Sequence, residues 1–345
     1  GGKNRVSKDA ARMLKSRVAL YEGTWLKYFK GTAFVPGTAE WPGKATYPDY
    51  QYPAGDIDAE IAYFLGECMK ESKIIADKYK LVDNTGVFQT GPEQAANPYF
   101  DMFGASDMSK YSEILLWKSY SDSEGVTNSV VEFGSAANAG YGLTKSMVEA
   151  FVMKNGLPIY AAGSGYPGDA DLLKITEGRD PRAEIFIKKP GDRNLHGTPG
   201  AEAYEIEPWP YIVGATASMK YTTGYAIRKG LNFDASQSSR NKSTVGSIIF
   251  RATEAYLNYI EACYEKTGYL DSDAAKYWTA IRDRSKLADY QTTIDATDME
   301  IEKLNDWGAY SAGKLVDKTL FNIRRERRCE LMAEGFRTAD VRRWR

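Results

Sequence analysis

Apolar residues near the start of the chain recur every three or four positions, which is the spacing of one face of an α-helix. They are Ala10, Leu14, Val18, Tyr21, Trp25 and Phe29. Ser7 precedes this series and is a suitable N-cap, because its hydroxyl can accept a hydrogen bond from a free backbone N–H of the first turn. The pattern predicts one long amphipathic helix.

A second helix is predicted after a loop rich in proline, glycine and aromatic residues. The loop spans residues 41–53, and Asp56 then begins a helical spacing that continues to about Tyr79. Together the two helices indicate an αα-hairpin with an unusually long aromatic loop.

The middle of the chain shows little sustained periodicity. Among its many Gly, Asn, Ser and Asp residues, short strands are predicted at 113–117 and 129–133. Thr144 then caps a helix that we expect to end at Gly156. The proline and glycine residues that follow indicate long surface loops with a few short strands over residues 163–230.

Helical spacing returns toward the end of the chain. It predicts a second αα-hairpin, with helices over 247–268 and 273–287, and a last helix from Asp317 to Gly335. Helix pairs toward both ends predict a mainly α fold, in which tetratricopeptide-like helical hairpins support a loop-rich irregular region with short strands. No clean repeat of about 34 residues is visible, so the periodicity supports helical hairpins only.

The pattern divides the chain into three regions of one integrated domain. Residues 1–85 form a helical hairpin region, residues 86–246 a loop-rich region, and residues 247–345 a C-terminal helical hairpin region. The chain begins with Gly1-Gly2-Lys3 and stops at Arg345 inside a regular segment, so we expect both ends to be truncated.

Charge and composition narrow the classes of partner. The 45 Lys and Arg residues nearly balance the 46 Asp and Glu residues, and this net charge of −1 disfavours nucleic acid or another polyanion. The 24 tyrosines, 7 tryptophans and 13 phenylalanines favour recognition, because rings with a polar tip suit half-exposed surfaces where a ligand meets water. The sequence contains neither an apolar run of about 18 residues or more nor a signal-peptide pattern.

Common catalytic constellations have little support. His196 is the only histidine, so Ser-His-Asp, Cys-His and multi-histidine metal sites cannot be assembled from this chain. The three cysteines, Cys68, Cys263 and Cys329, lie far apart without a C-x-x-C pattern, which leaves their redox state open. No glycine motif for a nucleotide phosphate is visible, and we expect no cofactor. Among the many acidic residues, the sequence does not exclude a pair of catalytic carboxylates of the kind that a glycosidase uses.

The strongest motif is RRERRCELMAEGFRTADVRRW at residues 324–344. It closely resembles a segment of the SusD/RagB family, in which a basic run and E-R-R-x-E-L are followed by E-G-x-R and D-x-R-R-W. Arg327 and Glu330 stand three positions apart on one helix, and alternating charges of this kind indicate an ion-pair lattice that clamps the terminal helices rather than an anion site. Thr338-Ala339 departs from the aromatic pair that is common at this place in the family.

Further segments match the same family in the same order. They are TKSMVEAFVMKNGLPIY at 144–160 with GRDPR at 178–182, FRATEAYLNYIEA at 250–262, and AIRDRSKL at 280–287. They resemble the family's D/N-G-x-P-I and R-D-P-R, R-x-A-E-x-x-L-x-Y-x-E-A, and N-x-I-R-x-R-A-x-L elements. The resemblance covers most of the chain outside the middle loops.

The resemblance implies a non-catalytic glycan-binding subunit with a SusD-like fold. It implies an outer-membrane lipoprotein at the cell surface that caps a SusC-like TonB-dependent transporter and closes over an oligosaccharide or polysaccharide before import. The family's lipid-bearing N-terminal cysteine is not in this sequence.

Sugar binding needs aromatic faces for C–H groups beside paired hydrogen-bond donors and acceptors. The candidate rings on loops are Trp41, Tyr47, Tyr50, Tyr141, Tyr166, Trp209, Tyr211, Trp307 and Tyr310. The segment Glu207-Pro208-Trp209-Pro210-Tyr211 is the most attractive, because two prolines stiffen the backbone that presents both rings and so reduce the ordering cost of binding.

Two other functions stay open at the level of sequence. A helical-barrel glycosidase would share the aromatic loops but would require an essential carboxylate pair. A helical-repeat adaptor for peptides would need an open concave groove instead of long aromatic loops. The residues name no particular glycan, and they leave open a peptide ligand and a calcium ion bracing the loops.

Overall fold

Helices dominate the regular structure of the computed structural model, which describes residues 2–90, 94–136, 142–196, 205–210, 212 and 223–344. The α-helices are α1 (Lys8–Phe29), α2 (Ile57–Lys78), α3 (Pro98–Gly104), α4 (Val130–Ala136), α5 (Lys145–Ala150), α6 (Pro181–Phe186), α7 (Ala252–Thr267), α8 (Ser272–Arg284), α9 (Tyr290–Ala296), α10 (Met299–Glu302), α11 (Lys318–Glu330) and α12 (Arg337–Trp344). The strands are β1 (Ile114–Lys118), β2 (Ile187–Lys188), β3 (Ala226–Ile227), β4 (Ser247–Arg251), β5 (Tyr310–Ser311) and β6 (Lys314–Leu315). The predicted mainly α class with a few short strands is confirmed, and the tetratricopeptide-like packing stays a prediction.

The chain divides into two compact units that do not follow sequence order. The helical unit comprises Lys8–Lys80, Ala252–Ile281 and Thr297–Arg345. The loop-rich unit comprises Gly1–Ser7, Leu81–Arg251 and Arg282–Ala296. The division into three consecutive regions stays a prediction. Within the described residues, no helix combines the length and the apolar character that a membrane crossing requires.

The predicted N-terminal hairpin of α1 and α2 is confirmed in the helical unit. Asp56 caps α2, and its carboxylate accepts a hydrogen bond from the Ala59 backbone N–H. Leu20 of α1, Leu65 and Cys68 of α2, and Ala262 of α7 belong to one buried cluster. The three helices therefore share a core.

The apolar face predicted for α1 is only partly correct. Leu14 and Val18 are 51% and 54% exposed, whereas Met13 is fully buried. The buried stripe runs through Ser16, whose hydroxyl is 2.6 Å from that of Ser72 and accepts a hydrogen bond of 2.9 Å from the Asn258 amide. A polar residue therefore occupies the buried face of α1. Because the prediction used only apolar spacing, it assigned burial to the neighbouring stripe that contains Leu14 and Val18.

The predicted helix start at Ser247 is wrong. Residues 247–251 form β4, which pairs antiparallel with β1, and α7 begins at Ala252. The run Ile248-Ile249-Phe250 suits a strand, because β-branched and aromatic side chains pack well on a pleated surface. In the second predicted hairpin, Tyr256 and Tyr259 of α7 contact Tyr277 of α8, with ring centroids 5.1 and 5.2 Å apart.

The last predicted helix ends five residues earlier than predicted, and a turn then leads to the separate helix α12. Asp317 caps α11 as predicted, but α11 ends at Glu330 and not at Gly335. Ala333 has a φ of 60° and Gly335 a φ of 84°, which are left-handed conformations that end an α-helix. The turn directs the chain into α12.

The loop-rich unit has a core of packed aromatic rings and a buried charge cluster. Tyr99 and Phe103 of α3 meet Phe186 of α6 edge to face, at centroid distances of 5.1 and 5.5 Å. The buried carboxylate of Glu113 accepts hydrogen bonds from Arg251 at 2.6 Å and from Arg284 at 3.3 Å. The strand predicted at 113–117 is confirmed as β1.

Two other predictions in the loop-rich unit are wrong. The strand predicted at 129–133 is the helix α4, which is favoured locally because the Asn128 side chain accepts a hydrogen bond from the Val130 N–H. Thr144 caps α5 as predicted, but α5 ends at Ala150 and does not reach Gly156. The Val152 carbonyl instead accepts a hydrogen bond of 2.8 Å from the Asp180 N–H, so the chain becomes extended.

Candidate functional site

Trp209 presents its side chain on a stiff segment of the loop-rich unit. The side chain is 57% exposed and lies between Pro208 and Pro210, which are both half-buried. Proline fixes the backbone φ angle and removes an N–H donor, so the two flanking residues restrict the directions in which the indole can point. Tyr211, the second ring predicted in this segment, lies outside the described residues.

The backbone that leads into Trp209 pairs with an earlier segment of the chain. The Asn194 N–H donates to the Glu205 carbonyl, and the Glu207 N–H donates to the Asp192 carbonyl, each at 2.8 Å. The Gly191 N–H completes the ladder with a bond of 2.8 Å to the Glu207 carbonyl. These three bonds hold the arm that carries Trp209, defined here as residues 205–210.

A buried ion pair anchors this arm. The Glu207 carboxylate lies 2.6 Å from the Lys188 ammonium, and the two side chains are 2% and 0% exposed. The Asn194 amide donates to the same carboxylate at 3.0 Å and accepts from Lys188 at 3.1 Å. Burial lowers the pKa of the Lys188 ammonium, and the Glu207 carboxylate opposes that shift. Sequence reasoning missed this pair, because Lys188 in β2 is far from Glu207 along the chain and no local pattern links the two residues.

The loop between α1 and α2 carries a second group of rings, in the helical unit. The rings of Trp41 and Tyr50 lie 5.5 Å apart, and Tyr52 meets Tyr50 edge to face at 5.3 Å. The Tyr52 hydroxyl donates to the Pro36 carbonyl at 2.7 Å, which fixes that ring. Tyr47, on the same loop, is 62% exposed. The structure thus brings two candidates together and adds Tyr52, which sequence reasoning did not select.

Two carboxyl groups act electrostatically on these rings. Burial raises the pKa of Glu22, and the nearby Glu60 carboxylate raises it further. Burial and the same two carboxylates raise the pKa of Tyr50, and burial together with Tyr50 and these carboxylates raises the pKa of Tyr52 to about 12. Both phenols are therefore protonated at neutral pH: Tyr52 donates its hydrogen to the Pro36 carbonyl, and Tyr50 can donate to a ligand.

The other predicted ring candidates have different surroundings. Tyr166 is half-buried, and the Arg179 guanidinium lies 4.8 Å from the centre of its ring. Trp307 is 78% exposed, whereas Tyr310 is half-buried in β5. Tyr141 lies outside the described residues. Among the candidates that the structure describes, direct ring contact joins only Trp41 with Tyr50.

The basic cluster near the C-terminus forms the predicted ion-pair lattice. Arg343 binds the Glu261 carboxylate through two hydrogen bonds of 2.6 and 2.7 Å, and it also contacts Asp340 at 2.9 Å. Arg327 reaches Asp340 at 2.8 Å. All four side chains are buried, so they join α11, α12 and α7 and leave no open anion site among themselves.

Other chemistry-bearing residues form neither a metal site nor a redox site. His196 stacks on Phe233, with ring centroids 4.8 Å apart. Cys68, Cys263 and Cys329 are buried, and none of the three is in a disulfide bond. In the ranges that the structure describes, no group of three or more His, Cys, Asp or Glu side chains is arranged to hold a metal ion.

Comparison with known proteins identifies relatives. The sequence model of the SusD family matches residues 113–345. No curated protein matches the chain. A SusD-like protein from Bacteroides fragilis superposes with a TM-score of 0.56 at 23% identity, and the match covers 99% of this chain and 55% of that one.

Two further solved structures are similar in fold. A SusD-like carbohydrate-binding protein from Bacteroides fragilis gives a TM-score of 0.50 at 16% identity, over 99% of this chain and 69% of that one. A structure solved with a xylogluco-oligosaccharide gives 0.55 at 13% identity, over 100% of this chain and 53% of that one. At these identities the likeness shows the fold alone. The chain spans little more than half the length of the first and third of these proteins.

Proposed function

Because the chain belongs to the SusD family, we propose that it is a non-catalytic carbohydrate-binding subunit that captures an oligosaccharide or polysaccharide at the cell surface. Trp209 carries this proposal, because an exposed indole stands on an arm that two prolines and a buried ion pair hold in place. Two proteins of similar fold support the ligand class, one described as carbohydrate-binding and one solved with a xylogluco-oligosaccharide.

A fixed, exposed indole suits sugar binding for a physical reason. The C–H face of a sugar ring packs against an aromatic face, and a ring that is already immobile loses little conformational freedom when the ligand binds. Trp41 and Tyr50, with Tyr52 beside them, offer a second aromatic surface on which the Tyr50 phenol is a donor. We propose Tyr166, Trp307 and Tyr310, and Tyr141 and Tyr211 outside the described residues, as further ligand contacts.

The partner and the location follow from family membership as part of the same proposal. The protein would sit on the outer membrane as a lipoprotein and cap a SusC-like TonB-dependent transporter. Co-purification of the full-length, natively expressed protein with a transporter from outer membranes tests this part. Recovery of the protein from the soluble fraction without a membrane partner would contradict it.

A glycan array followed by calorimetry tests the ligand class. We expect saturable binding of at least one oligosaccharide, which Trp209→Ala weakens by roughly 30-fold or more, since truncation of a central aromatic contact costs about 2 kcal/mol or more. Tyr269→Ala is the matched control, because Tyr269 is 62% exposed and lies outside every proposed contact. The Tyr269→Ala variant should bind the oligosaccharide with the affinity of the wild type.

A product assay on the same mixtures separates binding from catalysis. We expect no release of reducing ends at any protein concentration. Release by the wild type, with loss after substitution of one acidic residue, would identify a glycoside hydrolase instead. Binding of peptides without binding of glycans would identify a peptide adaptor.

A further inference from the structure

A cavity of about 440 Å³ lies in the loop-rich unit beside α3. Its walls come from α3, from residues 105–111, from His196 and from residues 231–234. This volume falls within the range of roughly 300–1,000 Å³ that is typical of small-molecule sites. The cavity is separate from the candidate contacts that the structure describes, because none of their rings lines it.

The walls of the cavity are held together by direct contacts. The Asn232 amide donates to the Gly104 carbonyl at 2.8 Å and accepts from the Asp234 N–H at 2.9 Å. A Cβ atom at Gly104 would lie 2.2 Å from the Leu231 carbonyl oxygen, so α3 and residues 231–234 touch through their backbones. Such a cavity is preformed, and a ligand does not have to order it.

Polar groups with unused hydrogen-bonding capacity line this cavity. The Tyr111 side chain is only 8% exposed, yet its hydroxyl bonds to no atom of the described residues. The Asp101 carboxylate and the Lys110 ammonium also have no hydrogen-bond partner within those residues. A ligand can therefore pair with these groups without displacing a protein partner, and hydrogen bonds that involve the charged groups contribute most to its affinity.

The protonation of these groups suits a ligand with many hydroxyls. Burial raises the pKa of Tyr111 to about 12, with smaller contributions from Asp101 and Asp107, so the phenol is a donor at neutral pH. Burial raises the pKa of Asp101, and Lys110 opposes the shift. The cavity thus offers an ammonium and a phenol as donors and carboxylates as acceptors, beside the ring of Phe100.

The charge of the lining limits the class of ligand. Asp101, Asp107 and Asp234 contribute three carboxyl groups, against the single ammonium of Lys110. A second anion placed among these carboxylates is repelled, most strongly by Asp101, which is half-buried, whereas Asp107 and Asp234 are exposed and their charges are screened by solvent. A ligand with hydroxyl groups and no negative charge is therefore favoured.

We propose that this cavity binds one neutral sugar unit of the captured glycan and excludes sugars that carry a carboxylate or sulfate. This inference rests on the proposed carbohydrate-binding function and specifies its ligand. Asp101 accepts hydrogen bonds from sugar hydroxyls, and Tyr111 and Lys110 donate to sugar oxygens.

The experiment is a glycan array that contains neutral gluco-, xylo-, manno- and galacto-oligosaccharides together with oligogalacturonate, oligoalginate and sulfated oligosaccharides. Calorimetry then measures the best ligand against Tyr111→Phe and Asp101→Asn. We expect the best ligand to be neutral and each variant to bind it about 10- to 100-fold more weakly, as for lost hydrogen bonds in which charged or buried groups take part.

Matched substitutions outside the cavity are the controls. Tyr120→Phe removes a hydroxyl that contacts Ser247, and Asp122→Asn removes a carboxylate that pairs with Lys242. Both should bind like the wild type. Circular dichroism and thermal melting establish that every variant is folded, and each cavity variant retains the shape of the original side chain.

The outcomes separate this inference from the proposed function. An acidic best ligand overturns the charge argument. Unchanged affinity in both cavity variants, with weaker binding by Trp209→Ala, overturns the cavity as a site and leaves the carbohydrate-binding function intact. Absence of any glycan binding overturns the proposed function itself.

Discussion

The Lys188 ammonium and the Glu207 carboxylate lie 2.6 Å apart in the interior of the loop-rich unit, two residues before the exposed ring of Trp209. An exposed candidate ring is thus tied directly to a fully buried ion pair. Removing either charge should change both the stability of the fold and the position of the arm.

We predict that Lys188→Met lowers the free energy of unfolding by about 3–5 kcal/mol, because it leaves the Glu207 carboxylate buried without its counter-charge. Urea denaturation measures this loss. The control is Lys242→Met, which breaks the exposed pair with Asp122 and should cost less than about 1 kcal/mol. Equal, small losses for both variants would contradict the role of Lys188 as an anchor.

The pair of Glu261 and Arg343 should make stability depend on pH. Burial alone would raise the pKa of Glu261, but attraction and hydrogen bonds from Arg343 outweigh burial and lower it from 4.5 to about 2. A carboxyl whose pKa is lower in the folded than in the unfolded state stabilises the fold above its unfolded pKa. This contribution is complete above about pH 4.5 and is lost as the pH falls toward 2.

The measurement compares the wild type with Glu261→Gln across that pH interval. We expect the difference in unfolding free energy between the two proteins to shrink as the pH falls, since protonation of Glu261 removes the charge that the variant already lacks. A difference that stays constant from pH 6 to pH 2 would show that Glu261 does not titrate in this interval.

Close backbone packing at Gly104 gives a third prediction. A methyl group there would meet the Leu231 carbonyl oxygen at 2.2 Å, so Gly104→Ala should destabilise the protein by about 1–3 kcal/mol. At Gly134, in α4, no atom of the described residues outside its own stretch of helix lies within 4 Å of the position of a Cβ. Gly134→Ala should therefore be neutral, or stabilising by up to about 1 kcal/mol. In thermal melting, Gly104→Ala should lower the midpoint temperature, whereas Gly134→Ala should leave it unchanged or raise it.

The starts of three helices, each capped by a neighbouring side chain, were predictable from the sequence. Asp56, Thr144 and Asp317 each accept a hydrogen bond from a backbone N–H within the first turn of their own helix. Such caps are local chemistry, and the sequence positions them correctly. The mainly α class followed from the same local patterns.

Features that depend on distant partners were not predictable. Val152 leaves the helical course because its carbonyl bonds to Asp180, and residues 247–251 form a strand because they pair with β1. At the candidate site, the two prolines indicated a stiff segment around Trp209. The buried Lys188 that anchors this segment pairs with Glu207 only in the folded chain.

The environment of Cys68 gives the last prediction. Its thiol is fully buried in the core of α1, α2 and α7, and it donates to the Asn258 carbonyl at 3.6 Å. Burial raises the pKa of this thiol to about 12, although hydrogen bonds from Ser16 and Ser72 oppose the shift. Because the thiolate is the reactive form, labelling by a thiol reagent at pH 8 should require opening of this core.

Mass spectrometry of the labelled peptides measures the rate at Cys68 separately from the other two cysteines. We expect slow labelling in buffer and rapid labelling in denaturing urea. A Tyr269→Cys variant places a thiol at a 62% exposed position of the same unit and should react rapidly under both conditions. If Cys68 reacts in buffer as fast as the cysteine at position 269, then α1, α2 and α7 do not bury it as described, and the shared core of the helical unit is wrong.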